Sequence, residues 1–148
     1  MTTDFTIRGA QSADQAEIER LLIDSHLPSE GIAALLNGFL VAESNAHIVG
    51  VVGLEACGEY ALLRSTAVSP DWRGKGVGRR LVERAVARAE SQGIRALYLL
   101  TTTAESYFPS FGFQVTTRDT VPAEVQATDE FRGACPASAT VMCRPVAA

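Results

Sequence analysis

Apolar positions along the chain change period several times, and each change marks an element boundary. Residues 5–8 alternate apolar and polar (Phe5, Thr6, Ile7, Arg8) and predict a short first strand. Ser12-Ala13-Asp14-Gln15 has the form of a capping box, a hydroxyl followed three residues on by Gln. The helix it opens carries Ala16, Ile18, Leu21 and Leu22 on one face and stops before Leu27-Pro28. A shorter helix is expected over residues 29–36, closed by Asn37-Gly38. Residues 39–43 and 48–54 read as antiparallel strands joined at Ser44-Asn45, and after Gly58 residues 60–68 form another strand.

Farther along, helical spacing returns. Val77, Leu81, Val82, Ala85, Val86 and Ala89 share one face of a helix that Gly93 ends. Residues 96–100 make a short apolar strand. Strand, helix, strand in that order implies a right-handed crossover between two parallel neighbours. A short helix over residues 104–111 is expected to end at Gly112, with a strand starting at Phe113 and a last strand over residues 139–144. Residues 119–133 are ambiguous, with Val121-Pro122-Ala123-Glu124 opening at most one helical turn. The sum is a mixed α/β (α+β) sheet of about seven strands with about four helices.

Between the strand ending at Val68 and the helix that follows lies Arg73-Gly74-Lys75-Gly76-Val77-Gly78. Glycines let backbone N–H groups approach a ligand closely. A helix N-terminus adds unpaired donors and a partial positive charge, and the two together make a pyrophosphate cradle. Arg73, Lys75, Arg79 and Arg80 contribute four cations, with no acid among residues 73–80. The whole chain is acidic, with 13 Lys and Arg against 17 Asp and Glu and a net charge of −4. A cationic spot on such a chain points to a small polyanion, not to nucleic acid.

Spacing narrows the ligand. A dinucleotide fingerprint needs glycine at 81 or 79, where Leu81 and Arg79 stand, and a phosphate-loop NTPase needs Ser or Thr after Gly74-Lys75. What fits is R-x-x-G-x-G; an ordinary glycine-rich strand–helix turn is the plain alternative. At 148 residues the chain is read as one domain, 1–148, with 47% apolar residues and no run long enough for a bilayer. No secretory or transit signal is visible at Met1-Thr2-Thr3-Asp4. Three scattered cysteines (Cys57, Cys135, Cys143) argue against a disulfide framework, so a cytoplasmic location is expected. No His, Cys or Asp cluster has zinc spacing, and no metal is expected.

The R-x-x-G-x-G loop, the order of elements around it and Phe111-Gly112-Phe113 together resemble the GNAT N-acetyltransferases nearly end to end. The resemblance implies a GNAT fold, a mostly antiparallel sheet with a central splayed parallel pair. It implies acetyl-CoA as acetyl donor and a small-molecule amine as acceptor. Thr66, Ala67 and Val68 would pair with the pantetheine arm. Arg73, Gly74, Lys75, Gly76, Val77, Gly78 and Arg79 would hold the pyrophosphate. Tyr98-Leu99-Leu100-Thr101-Thr102-Thr103-Ala104 and the tail Val121-Pro122 … Cys135-Pro136-Ala137-Ser138-Ala139 look like N-acetyltransferases encoded with arsenic-resistance genes. They are also similar to the acetyltransferase domain of N-acetylglutamate synthase. This implies an acceptor resembling an amino acid, arsenical ones included. Similar proteins are commonly dimers, so a homodimer is expected.

Three customary positions depart from the family. Phe108 stands where many relatives have a tyrosine acid, and Thr101 where many have an asparagine, leaving water, the backbone or Tyr107, one position earlier and about 100° around a helix, to protonate the leaving group. Leu62 stands where some relatives have a glutamate base, leaving Glu55 as the candidate base or a solvated acid beside Cys57-Gly58. Those departures keep a second class open, an acyl-CoA sensor without chemistry; within the enzyme class the rival reading is acetylation of another small amine or of a protein N-terminus. Arg64, Ser65 and Thr66 are a polar trio inside an otherwise apolar strand over residues 61–68, and Ser65 is, with Arg64, a candidate substrate contact. Arg64 reads as a bidentate partner for a substrate carboxylate, or as one half of an internal salt bridge or a fraying edge. Thr101 and Thr102 are candidate acceptor contacts, with Thr103 an alternative helix cap. Ser138 and His26 are further acceptor candidates, Ser138 being equally a plain strand-entry residue. His47 reads as a turn residue, and the cysteines as buried structural thiols before arsenic ligands.

Overall fold

The computed structural model describes residues 4–29, 31–102, 104–134 and 138–146. Along the chain run β1 (Thr6–Gly9), α1 (Gln15–Asp24), α2 (Ile32–Leu35), β2 (Phe39–Ser44), β3 (His47–Cys57) and β4 (Tyr60–Val68). Then come α3 (Val77–Ser91), β5 (Ala96–Thr101), β6 (Gln114–Thr116), α4 (Ala123–Gln126) and β7 (Thr140–Pro145). The seven strands hydrogen-bond in the order β1-β2-β3-β4-β5-β7-β6. Strands β4 and β5 are parallel, while β1–β2, β2–β3, β5–β7 and β6–β7 are antiparallel. This is the mixed sheet expected. Two compact units divide the chain, Met1–Leu54 with Ser65–Ala85, and Glu55–Arg64 with Val86–Ala148.

The first unit buries Ile18, Leu22, Ile32, Phe39, Val41, Val51 and Ala67 in one cluster. Each of these side chains larger than alanine contributes roughly 1.5–3 kcal/mol by leaving water. Gly50 of β3 is the seat of α3: a Cβ there would stand 2.7 Å from Val77 Cγ1 and 2.9 Å from Leu81 Cδ1. The exit of β4 is pinned where Ser69 N donates to Val49 O at 2.9 Å.

Local details of this unit differ from the sequence pattern by a residue or so. The capping acid is Asp14, which accepts from Gln11 N at 2.8 Å, not a Ser12 and Gln15 pair. Arg8 settles the frame, because its guanidinium donates to both Asp14 oxygens at 2.7 and 3.0 Å. The second helix is shorter than residues 29–36 and ends in a 3₁₀ turn, Leu36–Gly38. The hairpin turns at Asn45-Ala46, not Ser44-Asn45, and pairs Ser44 with His47. Both turn residues have positive φ, +52° and +67°, as a type I′ loop requires.

In the second unit, β4 and β5 pair through Tyr60, Ala61 and Leu62 against Ala96, Leu97 and Tyr98. Strand β7 pairs with β5 from Ala96↔Pro145 to Thr101↔Thr140. Leu62, Tyr98, Val121, Val125 and Val141 cluster with Cys57. The helix expected over residues 104–111 is only a 3₁₀ turn, Phe108–Phe111, because Pro109 lacks an N–H and disfavours helical φ/ψ at Phe108. The ambiguous stretch holds a 3₁₀ turn (Arg118–Thr120), α4 and a last turn, Glu130–Ala134. Among the described residues no helix is long and apolar enough to cross a membrane.

Candidate functional site

Beyond β4 the chain makes a 3₁₀ turn, Pro70–Trp72, and a second turn over residues 73–76 before α3 begins. Gly74 and Gly76 have φ of +78° and +82°, and a Cβ at either would meet nothing within 4 Å. Backbone conformation therefore requires these glycines, and the space above them is open to a ligand. Arg80 N donates to Gly76 O at 3.1 Å, opening the helical ladder. Amides earlier in a helix have no partner within it and face outward along its axis. Val77 is buried and anchors the turn, Gly78 lies inside α3, and Arg73, Lys75, Arg79 and Arg80 are exposed. Lys75 Nζ lies 5.9 Å from the Trp72 ring centroid and the Arg80 guanidinium 5.0 Å from that of Phe5. Arg79 lies 3.9 Å from Glu83.

The strand leading to this loop alternates, with Ala67 buried and Thr66 and Val68 half-buried. Ser65 breaks the extended run: its φ is +59°, left-handed backbone at a buried non-glycine residue. Such a conformation costs about 1–3 kcal/mol and re-aims a strand.

Arg64, in the other unit, is held by two acids. Its Nη1 donates to Glu55 Oε1 at 2.8 Å, and its Nε lies 3.3 Å from Glu130 Oε2. The Arg64 side chain is 2% exposed, Glu130 6% and Glu55 17%. An isolated buried guanidinium would be costly, and two carboxylates relieve that cost. Of the readings open for Arg64, the internal salt bridge is the one present, and Glu55 is its partner rather than a freely solvated acid. Sequence reasoning missed Glu130, which lies in the stretch without a period.

The remaining candidates are scattered. Tyr107 is 37% exposed, with its ring edge-on to Phe108 and Phe111 at 5.2 Å each. Phe108 is buried and packs against Phe113. Thr101 Oγ1 accepts from Ala104 N at 2.9 Å, so Thr101 caps this turn, the task considered for Thr103, which lies outside the described residues. Thr102 and Ser138 are exposed. His26 is exposed with φ +59°, and its N donates to Ile23 O at 3.0 Å, capping α1. His47 is exposed, with Nδ1 3.9 Å from Glu17.

Burial, with the nearby Glu55 charge, pushes the Cys57 thiol up to about 11, and burial also raises Cys143. Burial and the contact with Cys143 push the Tyr98 phenol to about 12. Both thiols are therefore protonated at neutral pH, unlike soft ligands or nucleophiles. Cys135 lies outside the described residues. Among the described residues no three His, Cys, Asp or Glu side chains come together as metal ligands.

A family model described as an acetyltransferase (GNAT) domain matches residues 35–115, which include the glycine loop. An amino-acid acetyltransferase of Ectopseudomonas mendocina is 42% identical over 90 residues, 57% of this chain and 20% of that protein. One from Neisseria meningitidis serogroup A is 30% identical over 129 residues, 79% of this chain and 29% of that protein. The chain thus spans less than a third of either relative. Among solved structures, N-acetylglutamate synthase from Neisseria gonorrhoeae, complexed with coenzyme A and N-acetyl-glutamate, has the same fold. It aligns with a TM-score of 0.84 at 22% identity, over 100% of this chain and 36% of that one.

Proposed function

The chain belongs to the GNAT acetyltransferase family, and from that premise we propose that it is an acetyl-CoA-dependent N-acetyltransferase. Its acceptor is the amine of a small amino acid or amino-acid analogue, and residues 1–148 act as one cytoplasmic domain. The observation that carries this reading is the loop from Arg73 to Gly78: two left-handed glycines with open space above them, at the start of a 15-residue helix. The amino-acid acceptor is supported by the relatives at 42% and 30% identity.

In this reading the main-chain amides from Gly74 to Gly78 hold the coenzyme diphosphate, with Arg73, Lys75 and Arg79 supplying charge. Thr66, Ala67 and Val68 offer the backbone of β4 to the pantetheine amides. Acetyl-CoA supplies the activated acetyl group. The protein's task is to bring a neutral amine to it in the right orientation. A free α-amine is mostly protonated at pH 7, so a base helps. Glu55 is that base, held in one orientation by Arg64, while Tyr107 is the candidate acid at the leaving sulfur. Thr102, Ser138 and His26 are exposed polar groups for the acceptor.

Release of free thiol from acetyl-CoA tests the reading across glutamate, its phosphorus and arsenic analogues, other amino acids and simple polyamines. Thiol release with amino acids is expected, and Glu55→Gln should lower kcat about 100-fold. Buried Phe108 and Leu62 at customary catalytic positions favour one alternative, an acyl-CoA sensor. Binding of acetyl-CoA without thiol release from any amine would establish it instead.

A further inference from the structure

Two of the loop's cations rest on aromatic faces. Arg80 sits over Phe5 at 5.0 Å and Lys75 over Trp72 at 5.9 Å. The rings meet edge to face, with centroids 6.2 Å apart and planes at 86°, so they form one support beneath both cations. Phe5 reaches this place from the residue before β1, and it is half-buried.

Resting on the functional reading above, we propose that Phe5 and Trp72 are positioning residues of the diphosphate site. Their ring faces hold Arg80 and Lys75 in place with the charge of each intact. A long cationic side chain carries about 2 kcal/mol of rotamer entropy. Ordering it before the ligand arrives removes part of that cost from binding. A carboxylate could order it too, but would offset the charge the phosphate is to meet. A ring attracts the cation through its quadrupole and leaves the N–H groups free to point at an oxygen. Neither ring touches the ligand.

The test is calorimetric titration of the full chain with coenzyme A. Phe5→Leu keeps apolar bulk and removes the ring, and should weaken binding about 2- to 5-fold. Phe5→Tyr should restore it. In an Arg80→Gln background, Phe5→Leu should add no further loss, because Phe5 acts through Arg80. Trp72 is the only tryptophan, so its emission should shift on coenzyme addition as phosphate charge meets Lys75 above the ring. Unchanged or tighter binding by Phe5→Leu, a Phe5→Tyr variant as weak as Phe5→Leu, additive losses in the double variant, or a silent Trp72 would each overturn the inference. If Phe5→Leu does not fold, Trp72→Leu against Trp72→Phe decides the matter by calorimetry. Wild-type protein that takes up no coenzyme A overturns the functional reading as well. Wild-type uptake with Phe5→Leu unaffected overturns this inference alone.

Discussion

The chain places positive charge in two opposite ways. Around the glycine loop, four cationic side chains stand exposed, two of them laid over rings. In the middle of β4, Arg64 is almost fully buried and matched by Glu55 and Glu130. A buried cation cannot wait for a ligand, because its desolvation must be met from within the fold. An exposed one can, since water solvates it until a phosphate arrives. The contrast separates a charge that supports structure from charges available for binding.

Three variants press on that contrast. Removing the buried charge has the largest expected effect. Arg64→Met leaves two carboxylates facing apolar surroundings and should cost about 3–5 kcal/mol, read as a lower urea midpoint. A loss below about 1 kcal/mol would put Arg64 in the same class as the loop cations. Gly76→Ala comes next. Its Cβ meets nothing, so only the left-handed backbone resists, at about 1–2 kcal/mol. Coenzyme A affinity should fall about tenfold as the loop amides turn away, measured by calorimetry. An alanine variant that binds as wild type does would show that cationic side chains alone make the site.

The smallest effect belongs to Arg8, which repeats the one-cation, two-acid pattern of Arg64 but is 30% exposed. The Arg8 hydrogen bond holds the Asp14 carboxyl below its ordinary range. Such a group stabilises fully above its unfolded pKa of about 3.9, and the gain is lost as pH falls through the lower folded value. Asp14→Asn should therefore be about 1 kcal/mol less stable at pH 7, with the gap closing below pH 4 in acid unfolding curves. A gap that persists at low pH would show that the Arg8 ion pair is not what Asp14 contributes.

Periodic and compositional features were legible in the sequence. The amphipathic face of α3, the apolar strands and the glycine loop are set by local pattern, and the fold follows from their order. Glu130 was not legible, because its role depends on Arg64, 66 residues away in a strand that gives no sign of its partner. Ser65 looked like an ordinary polar strand residue, since serine carries no mark of a positive φ. The frame errors at Ser12 and Ser44 share one cause. Several adjacent polar residues can cap or turn, and tertiary partners such as Arg8 choose among them. The helix over 104–111 falls short for a local reason: Pro109 stands inside it without the N–H that a longer helix would need.

A serine held at φ +59° makes position 65 a filter on sequence drift. Valine, isoleucine and threonine, which the rest of a strand welcomes, are the residues this backbone admits least. Leu62 and Leu63 are constrained by the volume around them, whereas residue 65 is constrained by the main chain beneath it. The substitutions expected to survive there are glycine, asparagine and aspartate, which a left-handed main chain admits most readily.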